Sequence, residues 1–299
     1  PQVVRRGLAL QALGNDLIRL YGGRSVHPVG VRVGGFHHAP AMAEVEALLA
    51  RLRAALPEAE ALVAWTAALP LPHDEQDFTS VALRHSAEYP MNAGRLVSDR
   101  GLDIASAGFE QHFVERQEQG STALYCYLDG QPYLVGPLAR LNLNLDRLPP
   151  AVRAALDHTG IRFPSRNMFH SIVARALEML LALHEAIRLL SDYQMPVQPY
   201  REVALRAGTG FGWTEAPRGV LWHRYDMNAD GSVRRARIVP PTSQNQARLE
   251  QDLHQSLSAY GLSHSDAELK LRAETVIRNY DPCISCATHF LDLRREHRS

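Results

Sequence analysis

The feature that most constrains the fold is the recurrence of apolar residues at helical spacing. Between residues 3 and 21, leucines recur along a predicted helix: Leu8, Leu10, Leu13, Leu17 and Leu20. Gly22-Gly23 then supply a stop signal. Residues 41–56 predict a second helix with an apolar face formed by Val45, Leu48, Leu49, Leu52 and Leu56.

Three more helices are predicted, at about residues 167–193, 244–260 and 265–279. The last of them begins with a capping box, in which Ser265 is followed three residues later by Glu268. It ends before Asp281-Pro282, because proline cannot continue a helix.

Strand patterns are short and lie between the helices. Residues 125–128 and 133–135 flank Asp129-Gly130, which predicts a β-hairpin. A second hairpin is predicted over residues 219–238, whereas residues 27–40 are predicted to form a loop. We therefore expect a mostly α fold with small β-hairpins and a helical core, in a single domain that covers all 299 residues.

The composition argues against several functions. The chain carries 32 Lys and Arg against 32 Asp and Glu, and this balance disfavours nucleic-acid wrapping and a polybasic membrane anchor. No apolar stretch approaches the roughly 20 residues of a membrane-spanning helix. Three cysteines are too few for a disulfide framework and fit a reducing compartment, so we expect a cytoplasmic protein.

The sharpest motif lies near the C-terminus, where residues 281–289 read Asp-Pro-Cys-Ile-Ser-Cys-Ala-Thr-His. Cys283 and Cys286 are three positions apart, so both thiolates can reach one soft metal ion, and His289 can reach a neighbouring ion. A redox pair is disfavoured because the motif follows the end of a helix, whereas a helix N-terminus lowers a thiol pKa. Spacing alone leaves open a metal site, a redox pair, half a zinc site and coincidence.

The second motif places an arginine in a turn, between Pro217 and Gly219. Proline restricts the backbone on one side and glycine leaves it free on the other. The guanidinium of Arg218 could then be aimed at an anion or a reacting group. The alternative is an ordinary turn at the start of the hairpin, with Arg218 paired to a carboxylate.

A third motif imitates a calcium-binding loop. Asp226, Asn228 and Asp230 alternate ahead of Gly231, but the twelfth position is Arg237, where a bidentate glutamate is required. Because the segment lies between two strand patterns, we predict a hairpin turn without calcium.

Together these segments resemble the large subunit of a [NiFe]-hydrogenase. Residues 281–289 match its DPCxxCxxH signature, and residues 212–223 match its GxxxAPRGxxxH signature. Residues 240–245 resemble the family segment beside the iron ligands. Other segments resemble the cytosolic, bidirectional NAD(P)-linked branch: residues 23–36, 91–103 and 167–171. The resemblance extends from about residue 7 to 289 and implies the fold of that large subunit.

The resemblance also implies a nickel–iron centre whose iron carries CO and cyanide ligands. By position, Cys283 would be a terminal nickel ligand and Cys286 would bridge nickel and iron. His289 would bind a structural Mg²⁺ or similar ion near the end of the mature chain.

Other residues would surround that centre. Arg218 would extend its guanidinium over the open metal position, and Asp281 would orient the arginine. Thr242 and the nearby backbone, at Pro241, would contact a cyanide ligand.

The implied reaction is the reversible heterolytic cleavage of H₂. Electrons would leave through iron–sulfur clusters of a separate small subunit and reach NAD(P) through a flavin subunit, so the chain would belong to a multi-subunit complex. This chain has too few cysteines to bind a cluster in addition to nickel. A maturation protease would cut after His289, which makes residues 290–299 a candidate cleavable extension.

The sequence departs from the family in two ways. The family's first cysteine pair is absent and the chain begins at Pro1, so we expect the C-terminal part of a longer subunit. The tail after His289 is present, as in an unprocessed precursor. The alternative function is that of a metal-free or immature relative with a structural or regulatory role, as in a subunit of respiratory complex I. Retention of Cys283, Cys286, Arg218 and His289 favours the hydrogenase.

Overall fold

A computed structural model describes residues 2–282, so that Pro1 and residues 283–299 lie outside the described part. Its α-helices are α1 (Gln2–Gly22), α2 (Met42–Ala67), α3 (Phe109–His112), α4 (Pro137–Asn144), α5 (Pro150–Asp157), α6 (Ser171–Ser191), α7 (Pro241–Tyr260) and α8 (Asp266–Arg278). Helix is the main regular structure in this range, which confirms the predicted fold class.

The strands are short: β1 (Val31–Arg32), β2 (Gly35–Phe36), β3 (Val81–Arg84), β4 (Arg95–Ser98), β5 (Asp103–Ile104), β6 (Phe113–Gln117), β7 (Leu124–Leu128), β8 (Gly208–Ala216), β9 (Gly219–Met227) and β10 (Val233–Val239). They form antiparallel sheets in the orders β1-β2, β3-β4-β5, β6-β7 and β8-β9-β10.

Local sequence signals set the predicted start of α8. The side chain of Ser265 accepts a hydrogen bond from the backbone N–H of Glu268, and the Glu268 carboxylate accepts one from the Ser265 N–H over 3.0 Å. The predicted capping box is therefore confirmed.

Helix α2 runs beyond its predicted end at residue 56. It continues through Pro57 to Ala67, because the apolar face of the helix continues as well: Ala59 and Val63 are both buried. Burial of that face offsets the hydrogen bond that the proline cannot make.

The predicted hairpin across Asp129-Gly130 is wrong. Strand β7 pairs with the upstream strand β6, with Phe113 opposite Leu128. Asp129 and Gly130 do form a tight turn, with φ of 46° and 81°, but the pairing across this turn is an isolated bridge between Leu128 and Gln131. The local alternation predicted the strand correctly, but it did not identify the partner strand.

The second predicted hairpin is confirmed as β9 and β10. Asn228, Asp230 and Gly231 of the calcium-like motif lie in its turn, whereas Asp226 lies in β9 opposite Arg235. Strand β8, which pairs along the whole of β9, was not predicted. Glycine at Gly208, Gly210 and Gly212 gives this segment a low strand propensity. Pairing with β9 outweighs that propensity.

Strand β9 is anchored by aromatic stacking. Trp222 is fully buried and stacks on Phe109 with ring centroids 4.7 Å apart, and Phe109 in turn stacks on Phe113 at 4.2 Å. The indole N–H of Trp222 donates to the Ser106 carbonyl over 2.9 Å. This packing holds the strand that comes after the Arg218 turn.

The contacts within the chain divide it into two compact units. Unit 1 comprises residues 1–69, 149–161 and 176–206; unit 2 comprises residues 70–148, 162–175 and 207 onward. A cluster of α1, α2 and α6 side chains forms the core of unit 1: Leu13, Val45, Leu48, Leu49, Leu52, Ala186 and Leu190. Unit 2 contains the Arg218 turn and Asp281. A single domain over residues 1–299 stays a prediction, as does the extension at residues 290–299.

Candidate active site at the Arg218 turn

Arg218 lies in the tight turn that joins β8 to β9. Gly219, the next residue, has φ of +137°, which a residue with a side chain rarely adopts. A Cβ atom at Gly219 would lie 2.4 Å from Cγ2 of Val135. Glycine is therefore needed at this position for its backbone angle and for space, and the turn fixes where Arg218 leaves the backbone.

A buried ion pair between Arg140 and Glu215 supports the same turn. The guanidinium of Arg140 donates to Oε2 of Glu215 over 2.8 Å, and the two side chains are 2% and 0% exposed. Arg140 also donates to the carbonyls of Ala216 and Pro217, over 2.8 and 3.2 Å. The two carbonyls just ahead of Arg218 are thus tied to one rigid cation.

Glu215 makes further hydrogen bonds besides the one to Arg140. Its Oε1 accepts the backbone N–H of Leu83 over 2.8 Å, and its own N–H donates to the Met91 carbonyl over 2.6 Å. A buried ion pair is tolerated only when its remaining hydrogen-bonding capacity is used. Sequence reasoning did not single out Arg140 or Glu215. The available signal was an arginine within an otherwise apolar turn of α4.

The first turn of α7 contacts the Arg218 turn from another side. Asn245 accepts the Val135 N–H at its Oδ1 over 2.9 Å and donates from Nδ2 to the Arg218 carbonyl over 3.3 Å. Gln244 donates to the Val220 carbonyl over 2.6 Å. These two amides connect α7 to both sides of the turn.

Arg218 and Asp281 are in contact although they are 63 residues apart. Nε of Arg218 donates to the Asp281 carbonyl over 2.5 Å and lies 3.2 Å from the Asp281 Oδ2. The side chains are 36% and 47% exposed, so the pair contributes little to stability. The contact orients the guanidinium: within residues 2–282, the hydrogen bond that the Arg218 side chain donates comes from Nε.

The two residues predicted to contact a cyanide ligand lie beside this pair. Pro241 and Thr242, at the start of α7, line a small cavity together with Arg218, Asn245 and Asp281. A second small cavity, also lined by Arg218 and Asn245, contains Asn279. The Asn279 side-chain N–H is buried and finds no acceptor among the described residues.

The predicted metal ligands Cys283, Cys286 and His289 lie outside the described residues. Within residues 2–282, no group of three or more His, Cys, Asp or Glu side chains is placed to bind a metal. Cys126, the cysteine that the structure describes, is buried and accepts the Tyr133 hydroxyl over 3.3 Å. Burial raises the pKa of its thiol to about 12, which removes it as a thiolate ligand.

The chemistry of the described residues fits the surroundings of a nickel–iron centre. They offer a guanidinium, an asparagine amide without an acceptor and a threonine hydroxyl around the end of the described chain. Such donors suit anionic ligands, and thiolates would be needed for the metals themselves. Cys283 and Cys286 come directly afterwards in the sequence.

Comparison with known proteins identifies the class. The family model described as nickel-dependent hydrogenase matches residues 109–289, a range that contains both signature motifs. The chain therefore belongs to the nickel-dependent hydrogenase family.

The chain is similar to the alpha subunit of sulfhydrogenase 1 from Pyrococcus furiosus, with 31% identity over 96% of this chain and 67% of that protein. It is 27% identical to the beta subunit of the NAD-reducing hydrogenase HoxS from Cupriavidus necator, over 97% of this chain and 66% of that one. A solved NAD⁺-reducing [NiFe]-hydrogenase in the H₂-reduced state aligns with a TM-score of 0.82 and 26% identity, over 96% of this chain and 69% of that one. This chain thus spans about two thirds of each relative's length.

Among the described residues, no helix is both long enough and apolar enough to cross a bilayer.

Proposed function

We propose that this chain belongs to the catalytic large subunit of a [NiFe]-hydrogenase, which converts H₂ reversibly into two protons and two electrons. The observation that carries the proposal is the contact between Arg218 and Asp281, immediately ahead of the Cys283 and Cys286 pair and inside the family-matched range. A nickel–iron centre with CO and cyanide ligands, when bound, supplies the heterolytic cleavage of H₂.

The residues of this chain have distinct roles in the proposal. Cys283 and Cys286 bind the metals as thiolates, and His289 binds a structural Mg²⁺ or similar ion. Arg218 would provide positive charge and N–H donors next to such a centre, since Asp281 engages Nε and leaves the terminal nitrogens for another acceptor. Pro241 and Thr242 contact an anionic iron ligand.

Arg140 and Glu215 fix the position of Arg218. Charge stabilisation by a donor that is already held in place costs no reorganisation during the reaction. The ion pair and its hydrogen bonds to the Ala216 and Pro217 carbonyls provide that fixation.

The proposal also covers the partners. Electrons leave through iron–sulfur clusters of a small subunit and reach NAD(P) through a flavin subunit, in a cytoplasmic complex. The likeness to subunits of an NAD-reducing hydrogenase supports this acceptor. A maturation protease cuts after His289.

Metal analysis of the assembled enzyme tests the proposal. Stoichiometric nickel and iron, with CO and cyanide bands in the infrared spectrum, are the expected result, and Cys286→Ser should lose nickel. Zinc alone, or no metal in a full-length and processed subunit, would contradict it. The latter result would favour the metal-free relative.

A substitution at Arg218 tests the role of its guanidinium. Arg218→Lys should retain nickel and iron but lower the rate of H₂ oxidation by about 10²–10³-fold, because lysine lacks the planar fork of donors. Arg153→Lys, at an exposed helical ion pair with Asp157, is the matched control and should keep the wild-type rate. A wild-type rate in Arg218→Lys would remove the catalytic role.

A further inference from the structure

The residue just before Asp281, Tyr280, makes a buried hydrogen bond to a carboxylate. The ring of Tyr280 belongs to an apolar cluster with Phe78 and Met168, and the residue is 4% exposed. Its hydroxyl donates to Oδ2 of Asp252 over 2.8 Å. Asp252, on α7, is itself 2% exposed. The residue before Asp281 is therefore fixed at both the ring and the hydroxyl.

Gln76 fixes the orientation of that carboxylate. Its Nε2 donates to Oδ1 of Asp252 over 2.6 Å and to Oδ1 of Asp74 over 3.1 Å, while its Oε1 accepts from Arg248 over 2.7 Å. Each end of the Gln76 amide thus has a partner of the correct polarity, and rotating the amide would break these bonds. Asp252 has one position in which all its partners are satisfied.

The charges of this buried group are balanced. Burial raises the pKa of Asp252, and the positive charge of the buried Arg248 opposes that shift. Asp74 accepts from Arg272 over 2.5 Å and from the Ser256 hydroxyl over 2.6 Å. Two arginines therefore accompany two aspartates, and removing one partner from such a buried group is costly because it leaves an uncompensated charge.

A second anchor holds the preceding residue. The carbonyl of Asn279 accepts the Ser171 hydroxyl over 3.0 Å and Nη2 of Arg175 over 2.6 Å. Consecutive residues at the end of α8 are thus held by α6 and by α7. Asp281 then takes a left-handed backbone conformation, with φ of +49°. A non-glycine residue persists in this region when its surroundings determine the backbone.

We propose that Tyr280 and Asp252 are positioning residues: their hydrogen bond fixes the backbone at the end of α8 so that Asp281 meets the Arg218 guanidinium. The proposal rests on the proposed hydrogenase function. Tyr280, Asp252 and Gln76 would thus affect the H₂ chemistry through Asp281 and Arg218. None of these three residues belongs to the signature motifs.

A double-mutant cycle in the assembled enzyme separates this role from a merely structural one. Tyr280→Phe should lower the rate of H₂ oxidation about tenfold, since small displacements of a catalytic group are costly. In an Arg218→Lys background the same change should cost less than about twofold, because the group that Tyr280 positions is already lost. Equal losses in both backgrounds, or no loss in the first, would overturn the proposal.

Two further variants complete the test. Tyr193→Phe also removes one hydroxyl hydrogen bond, to the Pro40 carbonyl in unit 1, and should keep the wild-type rate. Asp252→Ala removes the acceptor of the Tyr280 hydroxyl, so adding Tyr280→Phe to that variant should cost less than about twofold in rate. A full tenfold further loss on the Asp252→Ala background would show that Tyr280 does not act through Asp252, and would overturn the assignment.

Hydrogen–deuterium exchange provides a readout without the metal centre. In metal-free protein, Tyr280→Phe should speed exchange at the Tyr280 and Asp281 amides, which donate to the Ile277 and Arg278 carbonyls, whereas Tyr193→Phe should not. Unchanged exchange would overturn the positioning role. If the wild-type enzyme instead lacks nickel, the proposed function fails while a change in exchange would still establish the anchor.

Discussion

Units 1 and 2 differ in what they bury. In the described part of unit 1, Thr66 is the one buried polar residue, and the core consists of leucine, valine and alanine side chains. Unit 2 contains the other fourteen buried polar or charged residues, among them Arg140, Arg248 and Asp252. Burying a charge costs several kcal/mol that its partner often does not fully return. In unit 2, which contains the Arg218 turn and Asp281, these buried charges fix the positions of the site residues as well as contributing to the core.

The largest expected effect is at the buried ion pair. Arg140→Ala leaves the Glu215 carboxylate buried without its partner, so the free energy of unfolding should fall by about 3–5 kcal/mol. Urea titration measures this change in the free energy of unfolding. Replacing both partners, as Arg140→Met with Glu215→Leu, should recover part of that loss, because no charge stays buried.

The double variant sharpens the comparison. We expect it to fold and yet oxidise H₂ slowly, because the Ala216 and Pro217 carbonyls lose the donor that fixes the Arg218 turn. Full activity in this apolar variant would mean that the Arg140–Glu215 pair has no role in placing Arg218.

In unit 1 the matching change is the truncation of an apolar side chain. Leu52 is 1% exposed in the α1–α2–α6 core, and Leu52→Ala should lower the free energy of unfolding by about 2–4 kcal/mol through lost burial and the cavity left behind. Thermal and urea unfolding measure the loss. Nickel-loaded protein should keep its turnover per nickel, and a strong loss of turnover would break the contrast between the units.

A smaller effect is expected from backbone strain at the Arg218 turn. In Gly219→Ala, the new Cβ would lie 2.4 Å from Cγ2 of Val135, and the alanine would have to adopt a φ of +137°. The free energy of unfolding should therefore fall by about 1–3 kcal/mol. Gly212→Ala is the control, since nothing lies within 4 Å of its Cβ position. Equal stabilities of the two variants would contradict the turn geometry.

The smallest effect is a pH dependence in unit 2. Burial lowers the pKa of His170; the negative charge of Glu75 partly opposes that shift and the neighbouring His73 adds to it. The Nδ1 of His170 lies 2.7 Å from the Ser165 hydroxyl. As pH falls through the unfolded value of about 6.5, the unfolded chain takes up a proton before the folded one, so stability falls.

His170→Gln should therefore flatten the stability profile between about pH 5 and 7. His254→Gln, at an exposed position of α7, should leave the slope in place. Denaturant midpoints across that range decide the matter, and an unchanged slope in His170→Gln would contradict the assignment.

Sequence reasoning succeeded where the signal is local. The α8 capping box, the β9–β10 hairpin and the mostly helical class follow from spacing and turn residues, and all are present. It failed where distant residues decide. The end of α2 depends on continued burial after Pro57, and β7 pairs with β6 rather than across Asp129-Gly130.

The candidate site shows the same division. Both motifs were identified from the sequence, together with Arg218 and Asp281. The residues that fix them were not: Arg140, Glu215, Asp252 and Tyr280. No short motif predicts these contacts, because each hydrogen bond joins residues that are far apart in the sequence. Which residues meet is decided by how the chain packs.

The sequence by itself predicted the chemistry of the candidate site, from two cysteines three positions apart and an arginine between proline and glycine, and it predicted the main helices of the scaffold. These are properties of residue type and short spacing. The contact between Arg218 and Asp281 was expected only from the family resemblance, and the structure contains it. The tertiary structure alone decided that the Arg140–Glu215 pair supports the Arg218 turn and that the Tyr280–Asp252 hydrogen bond holds the residue before Asp281. Such contacts depend on which buried groups satisfy one another's hydrogen bonds, and that is settled only when the whole interior is assembled.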